Sequence, residues 1–215
     1  MSFLLDHCTL KVYDAQLLEN SNEFDCGNQD LNEFFSKDLI PYSFELLGKS
    51  YCFTLDKDPK VITCAFTIAN DSIKTLYLPN SRKRKVILEI PREKHMRSYP
   101  AVLIGRLGVH KDFRIIEGEK QRTGDQLMDF IKSWFIDGNN KTGCRFIVVD
   151  AYNDERVIRY YTANGFIMLF SSESQEKEYY NLDDSATLAT RLMFFDLILL
   201  RAYLFYCSEW LISIA

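Results

Sequence analysis

Ala101-Val102-Leu103-Ile104-Gly105-Arg106-Leu107-Gly108-Val109, followed after a loop by Gln121-Arg122-Thr123-Gly124-Asp125-Gln126-Leu127, is the stretch around which the rest of the chain falls into place. The first run is apolar except at Gly105, Arg106 and Gly108, the pattern of a buried strand. The second opens a helix expected from about Thr123 to Asp137, with Leu127, Met128, Ile131, Trp134 and Phe135 at helical spacing. A helix start carries backbone N–H groups that lack intrahelical partners, together with the positive end of the helix dipole. Glycine at such a start lets a pyrophosphate approach the backbone closely. Gln121, Arg122, Thr123, Gly124 and Asp125 therefore form a candidate anion cradle. The competing reading is an ordinary strand–loop–helix connection that happens to contain a glycine.

Downstream, Arg145 to Ala151 reads as a second buried strand, and Asp154 to Asn164 as a helix ending at Gly165, a suitable C-cap. Phe166 to Phe170 and Leu192 to Leu200 are expected to complete the sheet, with a charged loop around Glu173 to Asp184 between them. Tyr160 and Tyr161 fall near the end of the helix. A phenol there is a suitable donor to a departing thiolate, because the two acids are of similar strength. The competing reading makes both tyrosines packing aromatics.

Upstream, a strand is expected near Leu10 to Tyr13, then a helix from Gln29 to about Tyr42 with Leu31, Phe34, Phe35 and Leu39 on one face. Asn28 or Asp25 is its candidate cap. Two strands follow, Lys49 to Asp56 and Val61 to Asn70, with Pro59 marking the turn. Asp71 to Pro100 has a different character. It holds Arg82, Lys83, Arg84, Lys85, Arg92, Lys94, His95 and Arg97, with prolines at 79, 91 and 100, and is expected to be an extended excursion, a short helix within it being the alternative. The order of elements describes a mixed α/β sheet in one domain over residues 1–200, followed by a tail from 201 to 215.

The chain has 215 residues, 47% apolar and 26% charged, a composition that excludes disorder and low complexity. Its net charge of -4 gives no global attraction to nucleic acid or anionic membranes, so such contact requires a local basic patch. Cys8, Cys26, Cys52, Cys64, Cys144 and Cys207 make no CxxC or His/Cys metal spacing. They are expected to be free thiols in a reducing cytoplasm, with no metal site. Asp6 interrupts the N-terminal apolar residues at once, so no cleavable signal is expected. Leu192 to Ala215 is apolar, but Asp196, Arg201 and Glu209 would each cost about 2.5–3.5 kcal/mol near the centre of a bilayer. A core strand and an amphipathic tail are expected there, and no membrane contact.

The two C-terminal blocks, in this order, resemble the GNAT acyltransferase superfamily. Leu107-Gly108-Val109 matches its Leu-x-Val strand, and Tyr161-Thr162-Ala163-Asn164-Gly165-Phe166 matches its Tyr-x-x-x-Gly-Phe helix end. The cofactor loop departs from the family's Gln/Arg-x-x-Gly-x-Gly/Ala: Glu119 stands where Gln or Arg belongs, Arg122 replaces the first glycine, and the loop from Arg114 to Gly124 is longer. Arg122 can compensate by pairing with a phosphate, whereas Glu117 and Glu119 would oppose one if they pointed inward. Phe24-Asp25-Cys26-Gly27-Asn28, with Leu31, Asn32, Phe34 and Phe35, is similar to the opening of the toxin-type branch, as is Tyr99-Pro100 leading into the central strand.

That resemblance implies a GNAT-like fold and an acetyl-CoA-dependent N-acetyltransferase. Leu107, Gly108, Val109, the turn from Gln121 to Asp125 and Asn153 would hold the cofactor, with Tyr161 as general acid. A neutral amine would attack the thioester directly, and no cysteine is expected to act as nucleophile. The branch implies the amino group of aminoacyl-tRNA as acceptor and a small antitoxin as partner; a homodimer is among the assemblies left open. The basic residues from Arg82 to Arg97 would then meet phosphates. His95 and His110 are candidate bases towards the acceptor. A small amine or a protein amine as acceptor, and a catalytically weakened GNAT fold that only binds, are the alternatives.

Overall fold

The computed structural model describes residues 2–88, 90, 91, 95–140 and 142–201. Arg92, Lys94, Cys207 and the tail after Arg201 lie outside the described residues. Near the N-terminus, α1 (Phe3–His7) leads into β1 (Cys8–Val12), and the Asp14 side chain accepts from the Leu17 N–H to start α2 (Ala15–Asn20). Asn28 caps α3 (Gln29–Glu33) by accepting from the Leu31 N–H, the role its side chain suits. The expected single helix then widens into a π turn over Phe34–Asp38, closed by a bond from the Leu39 N–H to the Phe34 carbonyl, before α4 (Leu39–Phe44). Pro41 explains the widening. In a regular helix its ring would press on the Lys37 carbonyl, and it has no N–H to offer that group.

β2 (Lys49–Leu55) and β3 (Asp58–Lys74) form a hairpin. Its turn is Asp56-Lys57 and not Pro59. Pro59 sits inside β3, where the register slips between Thr54↔Ile62 and Leu55↔Asp58, an irregularity in which a missing N–H costs no ladder bond. β3 also runs past Asn70 into the segment expected to be an extended excursion. A 3₁₀ turn (Thr75–Tyr77) and α5 (Asn80–Ile87) follow, so the Arg82–Lys85 run is helical. β4 (Ser98–Val109), a 3₁₀ turn (Lys111–Phe113), α6 (Thr123–Ile136), β5 (Phe146–Tyr152) and α7 (Glu155–Ala163) come next. β6 is only Ile167–Met168, and the expected charged loop contains α8 (Glu173–Tyr179). β7 (Thr190–Asp196) stops short of Leu200, because Asp196 pairs with Arg145 at 2.8 Å and accepts from the Ile198 N–H, turning the chain.

Hydrogen bonding orders the strands β1-β2-β3-β4-β5-β7-β6 in a seven-stranded mixed sheet flanked by helices. The chain divides into two compact units, each discontinuous in sequence. One comprises the residues up to Ala69 with Ile104–Ile131; the other comprises Asn70–Leu103 and the chain from Lys132 on. The first is centred on Tyr13, Phe24, Phe34, Phe35, Leu39, Cys52, Ile62 and Ala65. The second is centred on Ile73, Val86, Tyr99, Phe146, Val148, Leu169, Phe170 and Phe194.

Candidate active site

In the first unit, the end of β4 is shaped by the Phe24–Asn28 motif. A methyl group added at Gly108 would lie 3.2 Å from Cys26 Cβ and Sγ and from the Phe24 ring. The glycine therefore lets the motif close on the strand, a packing role that spacing alone did not reveal. The motif is pinned from the other side as well. Asp25 Oδ1 accepts from the Gly27 N–H and from Asn32 Nδ2, both at 2.8 Å, while its Oδ2 meets Lys111 Nζ at 2.7 Å. Its carboxyl is held well below the usual range, chiefly by Lys111 and then by the Gly27 amide. Arg114 donates to the Cys26 carbonyl. Arg106 stacks over the Phe34 ring at 5.0 Å and donates to Gly105 O at 2.9 Å, leaving its buried Nε without a partner. Leu107 and Val109 flank Gly108 on this strand and are half-buried.

His110 Nδ1 accepts from the Asp112 N–H at 3.3 Å, and its ring packs against Phe24 and Phe113. It thus caps a turn. His95 meets the Ile90 carbonyl through Nε2 at 3.0 Å.

The first turn of α6 is built from its own chain. Thr123 is buried, donates its hydroxyl to the Phe113 carbonyl, and gives its N–H to Arg114 O at 3.2 Å. The N–H groups of Asp125 and Gln126 both reach Arg122 O. Gln121 Nε2 donates to Asp129 at 3.1 Å. Glu119 accepts from Gln126 Nε2 at 3.3 Å, so its charge is partly satisfied within the loop. What the turn offers an anion is the helix dipole, the small Gly124, and Arg122, whose side chain is 60% exposed and 3.0 Å from Asp125. These residues fit a phosphate that takes the place of Asp125 on the guanidinium.

The second unit holds Tyr161. Asp154 caps α7 by accepting from the Arg156 and Val157 N–H groups. At the other end, the Gly165 N–H bonds Thr162 O and the Phe166 N–H bonds Tyr161 O, with Gly165 at φ +80°. This is a Schellman closure, and its left-handed position is the one glycine tolerates. Tyr161 is 9% exposed, with its ring against Tyr160 and Phe166. Burial, and then the charge of Tyr152, push its phenol well above the ordinary tyrosine value. Asn153 Nδ2 is engaged by Leu188 O and Glu173 Oε1, both at 3.1 Å.

Of the basic residues, Arg82 is spent on structure: Nε donates to Leu169 O at 2.7 Å, and the guanidinium also meets Met168 O. Lys83 is half-buried, whereas Arg84, Lys85 and Arg97 are exposed.

No family model and no curated protein matches the sequence. Solved structures do. A tyrosine-to-phenylalanine mutant of KacT superposes with a TM-score of 0.64 at 18% identity, covering 92% of this chain and 99% of that one. AtaT complexed with acetyl-methionyl-tRNAfMet gives 0.60 at 19% identity over 92% and 99%. AtaTR bound with AcCoA gives 0.60 at 16% identity over 93% and 99%. The chain has the GNAT fold. One buried charge that spacing did not single out is Lys132, in the apolar stripe of α6, four residues beyond Met128 and 6% exposed. The break in that stripe was its only signal.

Proposed function

We propose that this chain is an acetyl-CoA-dependent N-acetyltransferase whose acceptor is the amino group of an aminoacyl-tRNA. The observation that carries the reading is Tyr161, set at the closed end of α7 by the Gly165 and Phe166 bonds. It lies in a fold shared over nearly the whole chain with AtaT, solved with an acetylated methionyl-tRNA. Acetyl-CoA supplies an activated acyl group when bound. Arg122 and the α6 start would hold its diphosphate, and Leu107, Gly108 and Val109 would offer backbone groups along β4, with Asn153 a further contact. The acceptor nitrogen forms the amide bond as the C–S bond breaks, and Tyr161 Oη gives its proton to the leaving sulfur. Holding both substrates in place supplies the proximity term. Arg84, Lys85 and Arg97 present exposed cations to a phosphate backbone, so acceptor binding should weaken with salt.

The test measures free CoA release with charged tRNA, polyamines and peptides side by side. Charged tRNA alone should be acetylated, and Tyr161→Phe should lower turnover by about 10²-fold or more with acetyl-CoA affinity nearly intact. Unchanged turnover removes Tyr161 from the mechanism. A second reading, a GNAT fold that binds without catalysis, is favoured by the α6 amides engaged with their own carbonyls. Calorimetry decides it: no heat with millimolar acetyl-CoA supports the binding module. AtaT has also been solved with the C-terminus of the antitoxin AtaR. We extend that to a small antitoxin partner here, expected to co-purify when its neighbouring reading frame is co-expressed.

A further inference from the structure

Lys132 is a cation inside the second unit, and the reaction described above makes no use of it. Its ammonium donates to Asn164 O at 2.7 Å and lies 4.5 Å from the Phe195 ring centroid and 5.9 Å from that of Phe166. Asn164 is the residue that closes α7. It is 9% exposed, its N–H and its Nδ2 both bond Tyr160 O, and its own carbonyl is the group Lys132 takes. The remaining closing bonds use Thr162 O and Tyr161 O. The Phe166 ring beneath the ammonium is the one that packs against Tyr161 at 5.4 Å.

A buried ammonium needs strong compensation. Here it comes from a helix C-terminus, where the dipole favours a cation, and from aromatic faces. A methionine would fill much the same volume without that cost. We infer that Lys132 is a positioning residue for Tyr161: by locking the Asn164 carbonyl and the Phe166 ring, it holds the last turn of α7 in the one arrangement that aims the phenol. The inference rests on the reading of Tyr161 as the acid.

The test compares Lys132→Met, Lys132→Arg and Tyr161→Phe, and combines Lys132→Met with Tyr161→Phe. Turnover is followed with acetyl-CoA and charged tRNA, below the melting temperature of every variant. Lys132→Met should lower kcat about tenfold while the KM for acetyl-CoA stays within about twofold, and Lys132→Arg should restore part of the loss. In the Tyr161→Phe background, Lys132→Met should cost nothing more, since the group it positions is gone. A fully additive loss, or an unchanged kcat in Lys132→Met, overturns the inference and leaves the Tyr161 assignment intact. Unchanged turnover in Tyr161→Phe alone removes the acid itself. A second arm needs no acceptor. With ¹³Cζ-labelled tyrosine, the resonance missing from Tyr161→Phe should be sharp in the native protein and shifted or broadened in Lys132→Met. An unmoved resonance also overturns the inference.

Discussion

The two units bury polar groups of different kinds. In the first most are neutral and matched within the unit, Arg106 Nε being the exception. Ser50 and Thr67 share a hydroxyl bond at 2.8 Å, Thr63 donates to Phe53 O, and Gln126 Oε1 takes both the Ser2 hydroxyl and the Leu4 N–H. Cys8, Cys26, Cys52 and Cys64 are buried free thiols there. In the second unit the interior holds charges: Lys132 on Asn164 O, Glu176 with Arg191 at 2.7 Å, and Arg145 with Asp196 at 2.8 Å. A neutral donor that loses its partner costs little more than one hydrogen bond, whereas a stranded buried charge costs several times that. The second unit should therefore be the more sensitive to single substitutions, and the first the more sensitive to alkali.

Glu176→Ala tests the first half of that contrast and should have the largest effect. Glu176 is 1% exposed and also accepts from the Leu192 N–H at 2.6 Å, so removing it leaves Arg191 only the longer pair with Glu173 at 3.5 Å and takes the acceptor from a strand amide. A loss of about 3–5 kcal/mol is expected in denaturant unfolding; a loss under about 1 kcal/mol would break the contrast.

The alkaline half comes next. Burial pushes the Cys52 thiol up to about 12 and that of Cys8 up to about 11, from a value of 9.0. Because these pKa values are raised in the folded state, their contribution is fully present below pH 9 and is lost as pH climbs towards the folded values. Melting temperature should fall steadily from pH 9 to 11, by an amount equivalent to about 2–4 kcal/mol. Serine at both positions should flatten that slope.

Gly165→Ala should cost about 1–3 kcal/mol, from the left-handed backbone and from a Cβ placed 3.0 Å from the Phe195 ring. Its counterpart in the first unit, Gly108→Ala, has no positive φ to strain. It should cost about 1 kcal/mol as Cys26 and Phe24 give way. The smallest change in stability is expected for Arg122→Ala, within about 0.5 kcal/mol because the pair with Asp125 is exposed. The same variant should weaken acetyl-CoA binding by about three- to tenfold in calorimetry.

Hydrophobic periodicity located α6, β5 and α7 within a residue and β4 within three, because each presents an apolar run or stripe to a core. It missed α8 because that helix buries a glutamate: Glu176 occupies the inward position and is neutralised by Arg191, which no apolar pattern registers. It ranked a short helix at α5 second to an extended excursion for a related reason, since Val86 is the only fully buried side chain in that basic helix. The run from Leu192 to Leu200 looked like one strand because the turning signal is Asp196, whose partner Arg145 is distant in sequence. At the site, Tyr161 and the α6 start were legible as motifs. The use of Arg82 by two backbone carbonyls, and the packing role of Gly108, depend on tertiary neighbours and were not.

The wide turn at Phe34–Asp38 amounts to a length change recorded in the backbone. It accommodates one residue more than an unbroken α-helix would, so deleting Ser36 should let the turn close into regular pitch. Every side chain beyond it would keep the face it now presents, Leu39 staying inward, while the Pro41 ring would come onto a carbonyl it now clears. A shortened chain would thus be harmed more by the missing residue than by the loss of any side chain at that exposed position.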